Sequence, residues 1–173
     1  NCYINHLSFS PNDKYFLFFW IEIKEGYHQA SLLVYDLTSK KIIPLELHDK
    51  VSHYVWLDDD NILCTVYENS LICRYFVYNV VDKTKRAYCS NCLAEDGHPS
   101  VDNASFILTD TYPDRNGFQF LYLVDSIKDT KKEIFRVYMK PVANGEMRTD
   151  LHPRFNLCHS KICFDTNING NRE

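Results

Sequence analysis

The stretch from Gly97 to Thr111, GHPSVDNASFILTDT, joins a histidine, a polar turn and an apolar β run. Asn and Asp in the turn tolerate a left-handed backbone and hydrogen-bond to their own turn, which suits a hairpin. A single histidine in an aromatic-rich β chain is most often structural. The same residue recurring at one structural position instead indicates a repeat architecture.

The pattern occurs four times. His6, His53, His98 and His152 follow one another at 47, 45 and 54 residues. Each precedes a turn and an apolar run, in the segments NHLSFSPNDKYFLFF, SHYVWLDDDNILCTV, GHPSVDNASFILTDT and LHPRFNLCHSKICFD. Further β runs lie between them, at 15–23, 30–36, 41–46, 73–78, 85–88, 118–125 and 134–138. Four strands per period of about 45 residues is typical of a β-propeller blade.

We therefore predict an all-β chain that forms part of a β-propeller and contains no helix. Residues 1–173 form a single propeller segment, with blade-like units over about 4–50, 51–95, 96–148 and an incomplete 149–173. The irregular stretch 126–150 is interpreted as an insertion, with Pro141 and Asn144-Gly145 at its tip. Three periods and a fraction leave strand edges unpaired, and the sequence opens on Asn1. We expect the remaining blades in a longer chain, or in another copy.

Charge and cysteine content indicate which kinds of binding partner and which compartment to expect. Lys and Arg number 19 against 23 Asp and Glu, so the net charge of −4 disfavours nucleic acid and anionic membranes. The apolar run YFLFFWIEI is too short to span a membrane and contains Glu22. Seven cysteines without a disulfide framework predict a reducing, cytoplasmic setting. Cys89 and Cys92 have the spacing of a metal knuckle, but with only Cys158, His159 and Cys163 as further ligands they are interpreted as surface thiols.

The first strand of each propeller blade lines the central channel, so the four histidines are expected to converge. Convergent imidazoles can ligate a divalent metal or act as a base near neutral pH. The alternative is that each histidine hydrogen-bonds within its own blade and has no ligand. Charged side chains near the histidines favour a polar, carboxylated ligand. They are Asp110, Asp114 and Arg115 around Tyr112-Pro113, and Arg148, Asp150 and Arg154 around His152.

The ordered set INH…FSP, SHYVW, DGHPS…ILTDTYPD and DLHPRF…ICFDT resembles the oligogalacturonate lyase family and its bacterial relatives. The resemblance implies a divalent metal, Mn²⁺, at His98 and His152, with His53 near the position of the base. It further implies β-elimination on acidic, uronate-containing oligosaccharides, with the metal and an arginine, Arg154, neutralising the uronate carboxylate. Asp110, Tyr112, Arg115, Arg148 and Asp150 are then the substrate-binding candidates.

Two positions depart from the lyase pattern. His152-Pro153-Arg154 stands where the lyases have His-Pro-His, and Thr149 stands where they have glutamine. Either the metal is held differently, with Asp110, Asp150 or His6, or the site binds an anionic sugar without metal. The alternative function is a non-catalytic propeller that binds a glycan, or a partner in polysaccharide biosynthesis. A glycosyltransferase activity finds no nucleotide-sugar motif in the sequence.

Overall fold

A computed structural model describes residues 1–102, 105–138 and 149–167. All regular secondary structure in these residues is β-strand, so the all-β prediction is confirmed. No helix of a length and hydropathy suited to crossing a membrane occurs among the described residues. The chain divides into two compact units, Asn1–Tyr88 and Cys89–Glu173, which are called the first and second units below.

The first unit contains two four-stranded antiparallel sheets with strands in sequence order. The first sheet consists of β1 (Cys2–Phe9), β2 (Tyr15–Lys24), β3 (Tyr27–Asp36) and β4 (Lys41–Glu46). The second consists of β5 (Lys50–Trp56), β6 (Asn61–Glu68), β7 (Ile72–Asn79) and β8 (Lys85–Tyr88). One sheet of this kind per period is the arrangement predicted for a propeller blade.

Local sequence explains the hairpins and the core of the first unit. Glu25 and Gly26 both have positive φ, 50° and 83°, and connect β2 to β3 through a two-residue turn that matches strand twist. Asp36 accepts hydrogen bonds from the backbone N–H groups of Thr38 and Ser39 and so closes the β3–β4 turn. Alternating apolar residues of both sheets form one buried cluster, which includes Leu17, Phe19, Leu32, Val34, Val51, Ile62 and Val66.

The second unit contains one four-stranded sheet and a small two-stranded one. The larger sheet has the order β12 (Thr130–Tyr138), β11 (Phe118–Asp125), β10 (Phe106–Asp110) and β9 (Ser100–Val101). The smaller pairs β13 (Arg154–Phe155) with β14 (Ile162–Cys163). Leu121 and Val137 of the larger sheet pack with Leu151, and Phe135 and Phe164 cover this cluster.

Two details differ from the sequence prediction. The stretch from residue 126 was interpreted as an irregular insertion. Its described part, 126–138, is instead a hairpin turn followed by the regular strand β12, which begins at Thr130 and continues to Tyr138. Pro141 and Asn144-Gly145 lie outside the described residues. His6 and His53 lie within the first strands of their sheets, whereas His98 and His152 each stand two residues before a two-residue strand.

Candidate functional site

Asp110 is the buried centre of a histidine cluster in the second unit. It ends β10, a largely apolar strand, and is only 1% exposed. Its Oδ1 accepts a hydrogen bond from the backbone N–H of His98 at 2.6 Å, and its Oδ2 accepts one from the backbone N–H of His152 at 3.0 Å. The His98 ring nitrogen Nδ1 lies 2.9 Å from Oδ1 and 3.0 Å from Oδ2. One carboxylate therefore positions two chain segments and one imidazole ring.

The rings of His98 and His152 lie side by side with a tilt of 45° between their planes, and their centroids are 3.9 Å apart. The Nδ1 of His152 lies 3.0 Å from the carbonyl oxygen of Asp150, so both histidines have an acceptor at Nδ1. An acceptor at Nδ1 favours the tautomer with the proton on Nδ1, which leaves the lone pair on Nε2. Histidines that ligate metals are commonly oriented in this way by a carboxylate or a carbonyl.

Asp150 completes a set of candidate ligands. One ligand atom each from His98, Asp150 and His152 lie within 4.8 Å of one another. Burial lowers the pKa of His152 from its ordinary value of 6.5, and the neighbouring His98 lowers it further. The ring therefore favours the neutral form, which is the form that binds metals. Two imidazole nitrogens and a carboxylate oxygen suit a divalent metal cation.

The backbone around both histidines is constrained. His152 has a left-handed conformation with φ of 41°, and Pro99 and Pro153 are the buried residues that follow the two histidines. Gly97 packs so closely on β10 that a Cβ at this position would overlap the carbonyl oxygen of Asp110. Only glycine fits here without a shift of the backbone, and this close approach brings the His98 N–H to the Asp110 carboxylate.

The other predicted site residues of the second unit are distributed differently. Tyr112 contacts His98 edge to face, with ring centroids 5.9 Å apart. Arg115 is exposed in the turn that follows. Arg154 is exposed on β13 and pairs through Nη2 with Oδ1 of Asp165 at 2.7 Å. Arg148 lies outside the described residues.

The histidines of the first unit form a second pair. His6 stacks on Phe19 at 4.8 Å, and its ring centroid lies 6.1 Å from that of His53. Both histidines lie at irregularities of the strand register, between Asn5 and Ser8 and between Val51 and Tyr54. Bulges of this kind re-aim side chains. The four predicted histidines are thus brought together as two pairs, one in each unit.

Polar groups of the first unit hold this pair. The hydroxyl of the fully buried Thr65 accepts a hydrogen bond from the backbone N–H of His53 at 2.8 Å. The Oγ of Ser52 lies 3.1 Å from Nδ1 of His53. The Tyr54 hydroxyl oxygen lies 2.8 Å from the His6 carbonyl oxygen and 2.8 Å from the Ser8 hydroxyl oxygen, and its one proton is shared between these two acceptors. The contacts of Thr65 and Ser52 with His53 lie within the second sheet, whereas the contacts of Tyr54 join the second sheet to the first.

Gln119 was missed by sequence reasoning. It lies on β11 with 0% exposure, and neither of its amide atoms has a hydrogen-bond partner among the described residues. Asp110 is paired with Leu121 across the ladder, and Gln119 is two residues from Leu121, so all three side chains lie on one face of the sheet. A glutamine at an inward position of the apolar run FQFLYLV is the signal that could have revealed it.

Comparison with known proteins supports the fold. An oligogalacturonate lyase in complex with manganese matches with a TM-score of 0.76 and 17% identity, over 98% of this chain and 46% of the lyase. TolB from Acinetobacter baumannii matches with a TM-score of 0.65 and 13% identity, over 98% of this chain and 39% of TolB. The β-propeller domain of the trilobed protease from Pyrococcus furiosus matches with a TM-score of 0.55 and 9% identity, over 95% of this chain and 53% of that domain.

These likenesses, at low identity, concern the fold alone. No protein-family model matches the sequence, and no curated protein matches it significantly. The chain spans less than half the length of the lyase and of TolB. Together with the four-stranded antiparallel sheets, the structural matches confirm the predicted fold class, a partial β-propeller.

Proposed function

We propose that the second unit contributes a divalent-metal site to a lyase-like enzyme that cleaves acidic, uronate-containing oligosaccharides by β-elimination. His98, His152 and Asp150 would hold the metal, with Mn²⁺ as the expected ion. The observation that carries the proposal is the buried carboxylate of Asp110, which hydrogen-bonds to both histidine segments while their rings lie 3.9 Å apart. Its two oxygens already accept N–H groups, so Asp110 orients the histidines and is not itself the ligand.

The donor set supports a metal of this class. Imidazole nitrogens and carboxylate oxygens suit Mn²⁺, and the Nδ1 contacts of both rings favour a lone pair on Nε2. A divalent ion bound here would supply positive charge that stabilises a uronate carboxylate as its neighbouring carbon loses a proton. Among the solved structures with this fold, the lyase is described in complex with manganese.

Other residues receive roles in the proposal. His53 is the proposed base that removes the proton on the carbon next to the carboxylate, and Ser52 would fix the orientation of its ring. The electron pair of that C–H bond forms the new double bond, and the glycosidic oxygen leaves with its bonding electrons and takes up a proton. Tyr112, beside His98, offers an aromatic surface for a sugar ring.

A metal-binding measurement and an activity assay test the proposal separately. Calorimetric titration of the chelator-treated chain with Mn²⁺ should show binding that is lost in His98→Gln and His152→Gln and kept in His28→Gln, which changes an exposed histidine of β3. Incubation with oligogalacturonates should then produce ultraviolet absorbance from an unsaturated uronate. Absence of Mn²⁺ binding together with absence of absorbance would reject the proposal.

A second candidate function is glycan binding without turnover. The exposure of Arg154 on β13 favours it, because an accessible guanidinium binds a carboxylate without a metal. This function predicts that uronate oligomers bind and remain intact. Replacing Arg154 should then weaken binding more than replacing His53. Cleavage of the oligomers, or a larger loss in the His53 variant, would argue for the lyase.

A further inference from the structure

A second cluster of candidate ligands lies in the second unit, in the connector that follows β8. Cys89 is buried at 8% exposure and Cys92 is half-buried, so the interpretation of these residues as surface thiols is wrong. The backbone N–H groups of Cys92 and Leu93 both donate to the Cys89 carbonyl oxygen, at 3.1 and 2.8 Å. This tight turn brings the two thiols of the Cys-x-x-Cys sequence to one side of the connector.

The turn between β11 and β12 contributes a carboxylate to the same cluster. One ligand atom each from Cys89, Cys92 and Asp129 lie within 4.8 Å of one another. The Oδ2 of Asp129 accepts hydrogen bonds from the backbone N–H and the side-chain amide of Asn91, at 3.1 and 2.7 Å. Asn91 lies inside the Cys-x-x-Cys turn, so these contacts hold the carboxylate against the cysteines.

The second oxygen of Asp129 needs a partner. Its Oδ1 is buried and has no hydrogen-bond partner among the described residues. A buried carboxylate oxygen without a donor is costly, and a bound cation would remove that cost. Asp129 also has a left-handed backbone, with φ of 49°, and Cys89 has φ of 48°.

Burial and the Asp129 carboxylate both act on the pKa values of the two thiols. Burial raises the pKa of the Cys89 thiol to about 11, and the charge of Asp129 adds to the increase. Burial also raises the pKa of the Cys92 thiol to about 12, and Asp129 and Cys89 contribute. A divalent ion that binds cysteine sulfur favours the thiolate and displaces its proton.

We propose that Cys89, Cys92 and Asp129 form a metal site for a thiophilic divalent cation such as Zn²⁺, with the fourth coordination position taken by water. Zn²⁺ binds cysteine sulfur at about 2.3 Å and carboxylate oxygen at about 2.0 Å, in tetrahedral geometry. The ion would join the connector after β8 to the β11–β12 turn and stabilise their contact. A zinc knuckle usually takes its other two ligands from a second pair of cysteines. Here the Asp129 carboxylate of the β11–β12 turn and a water molecule would take their places.

Titration with Co²⁺ tests the proposal, because cobalt bound by thiolates has charge-transfer bands in the near ultraviolet that histidine and carboxylate ligands do not produce. The chain is first treated with chelator and reductant. The bands should saturate at one equivalent of Co²⁺ in the His152→Gln variant, which lacks a ligand of the proposed histidine site, and should disappear when Zn²⁺ is added. Cys2→Ser, which removes an exposed thiol of the first unit, and His152→Gln should keep them.

Variants of the cluster decide the outcome. Cys89→Ser and Cys92→Ser should abolish the bands, and Asp129→Asn should lower Co²⁺ affinity by at least about 10-fold. Asp129→Asn keeps the shape of the side chain, so it remains informative if a cysteine variant does not fold. Absence of bands in the unaltered chain, bands that survive Cys92→Ser, or an unchanged affinity in Asp129→Asn would each overturn the proposal.

Discussion

The two histidine pairs have the same origin in the repeat and different surroundings. In the first unit the backbone N–H of His53 donates to the hydroxyl of Thr65, and in the second the backbone N–H of His98 donates to the carboxylate of Asp110. In both cases the acceptor residue follows the histidine by twelve residues and lies on the second strand of its sheet, β6 or β10. The acceptor is neutral in one blade and charged in the other. The charged acceptor also contacts the ring of its histidine and a second histidine segment.

A buried carboxylate alone does not distinguish the units. Glu46 of the first unit is only 5% exposed, and it contacts the Lys85 ammonium at 2.7 Å and the Tyr78 hydroxyl at 2.7 Å. A carboxylate paired with a lysine has its charge compensated within the protein, so it stabilises the fold. Asp110 contacts the His98 imidazole and the backbone N–H groups of His98 and His152 instead. Its negative charge therefore favours a cation at the histidines.

The largest expected effect follows from removing that charge. Asp110→Asn should weaken Mn²⁺ binding by about 10- to 100-fold, because the amide orients His98 and His152 less well. It should also lower the free energy of unfolding by about 3 kcal/mol, since a buried N–H group loses its acceptor. Titration calorimetry and urea unfolding measure the two effects.

Thr65→Val is the matched control in the first unit. It removes the neutral acceptor of the His53 N–H at nearly constant volume, so it should cost about 1 kcal/mol of stability. Mn²⁺ affinity should be unchanged. If Thr65→Val weakens Mn²⁺ binding as much as Asp110→Asn does, the distinction between the two pairs is wrong.

The carboxylate of Glu46 should make the stability of the first unit sensitive to acid. Burial by itself would raise its pKa, but hydrogen bonds from Lys85, Tyr78 and two backbone N–H groups lower it from 4.5 to about 2. The folded state thus holds the carboxylate charged, and this contributes about 3 kcal/mol above pH 4.5. The contribution is lost as the pH falls from 4.5 toward 2, because the unfolded chain takes up the proton first.

Urea unfolding between neutral pH and about pH 3 measures this contribution. Glu46→Gln should be less stable than the unaltered chain by about 3 kcal/mol near neutral pH, and the difference should shrink on acidification. Glu25→Gln, which changes an exposed carboxyl in the β2–β3 turn, is the control and should behave as the unaltered chain does. A difference that is constant with pH would contradict the assignment.

Gly97→Ala tests the close approach that builds the second site. The added Cβ overlaps the Asp110 carbonyl oxygen, which is backbone and cannot rotate away, so the variant should lose about 2 kcal/mol and bind Mn²⁺ less tightly. Gly26→Ala is the matched control, because its Cβ meets no atom within 4 Å and only the positive φ opposes it. We expect a loss of about 1 kcal/mol there and unchanged Mn²⁺ affinity. Equal effects on affinity would contradict the role of Gly97.

Much of the fold could be predicted from sequence because its signals are local. The run from Phe118 to Asp125 was predicted with the bounds that the structure gives, since apolar residues and turn residues mark both ends. Thr130 to Lys132 are polar and charged, so the start of β12 was missed. These residues pair with Leu123, Val124 and Asp125 across the ladder, a contact that local propensity does not contain.

Several of the residues that the sequence singled out lie together in the structure, but the sequence did not predict the contacts between them. Recurrence selected the histidines, and resemblance selected His98 and His152 as a pair. The role of Asp110 depends on the backbone of Gly97 lying against β10, which is a contact between strands. Likewise, the spacing of Cys89 and Cys92 was visible, but Asp129 joins them only because the β11–β12 turn folds onto the connector. A single sequence does not show such contacts.

The smallest expected effect concerns Gln119, which lies on the same face of the sheet as Asp110 but has no partner for its amide among the described residues. If the amide serves only to fill space, Gln119→Leu should raise the free energy of unfolding by about 1 kcal/mol, because the unpaired polar atoms are removed at similar volume. Mn²⁺ affinity then stays constant. If Mn²⁺ affinity falls while stability rises, the amide contributes to Mn²⁺ binding and its burial without a partner costs stability. Asp110 differs, because its replacement should lower both affinity and stability. Urea unfolding and Mn²⁺ titration of the same preparation separate these two outcomes.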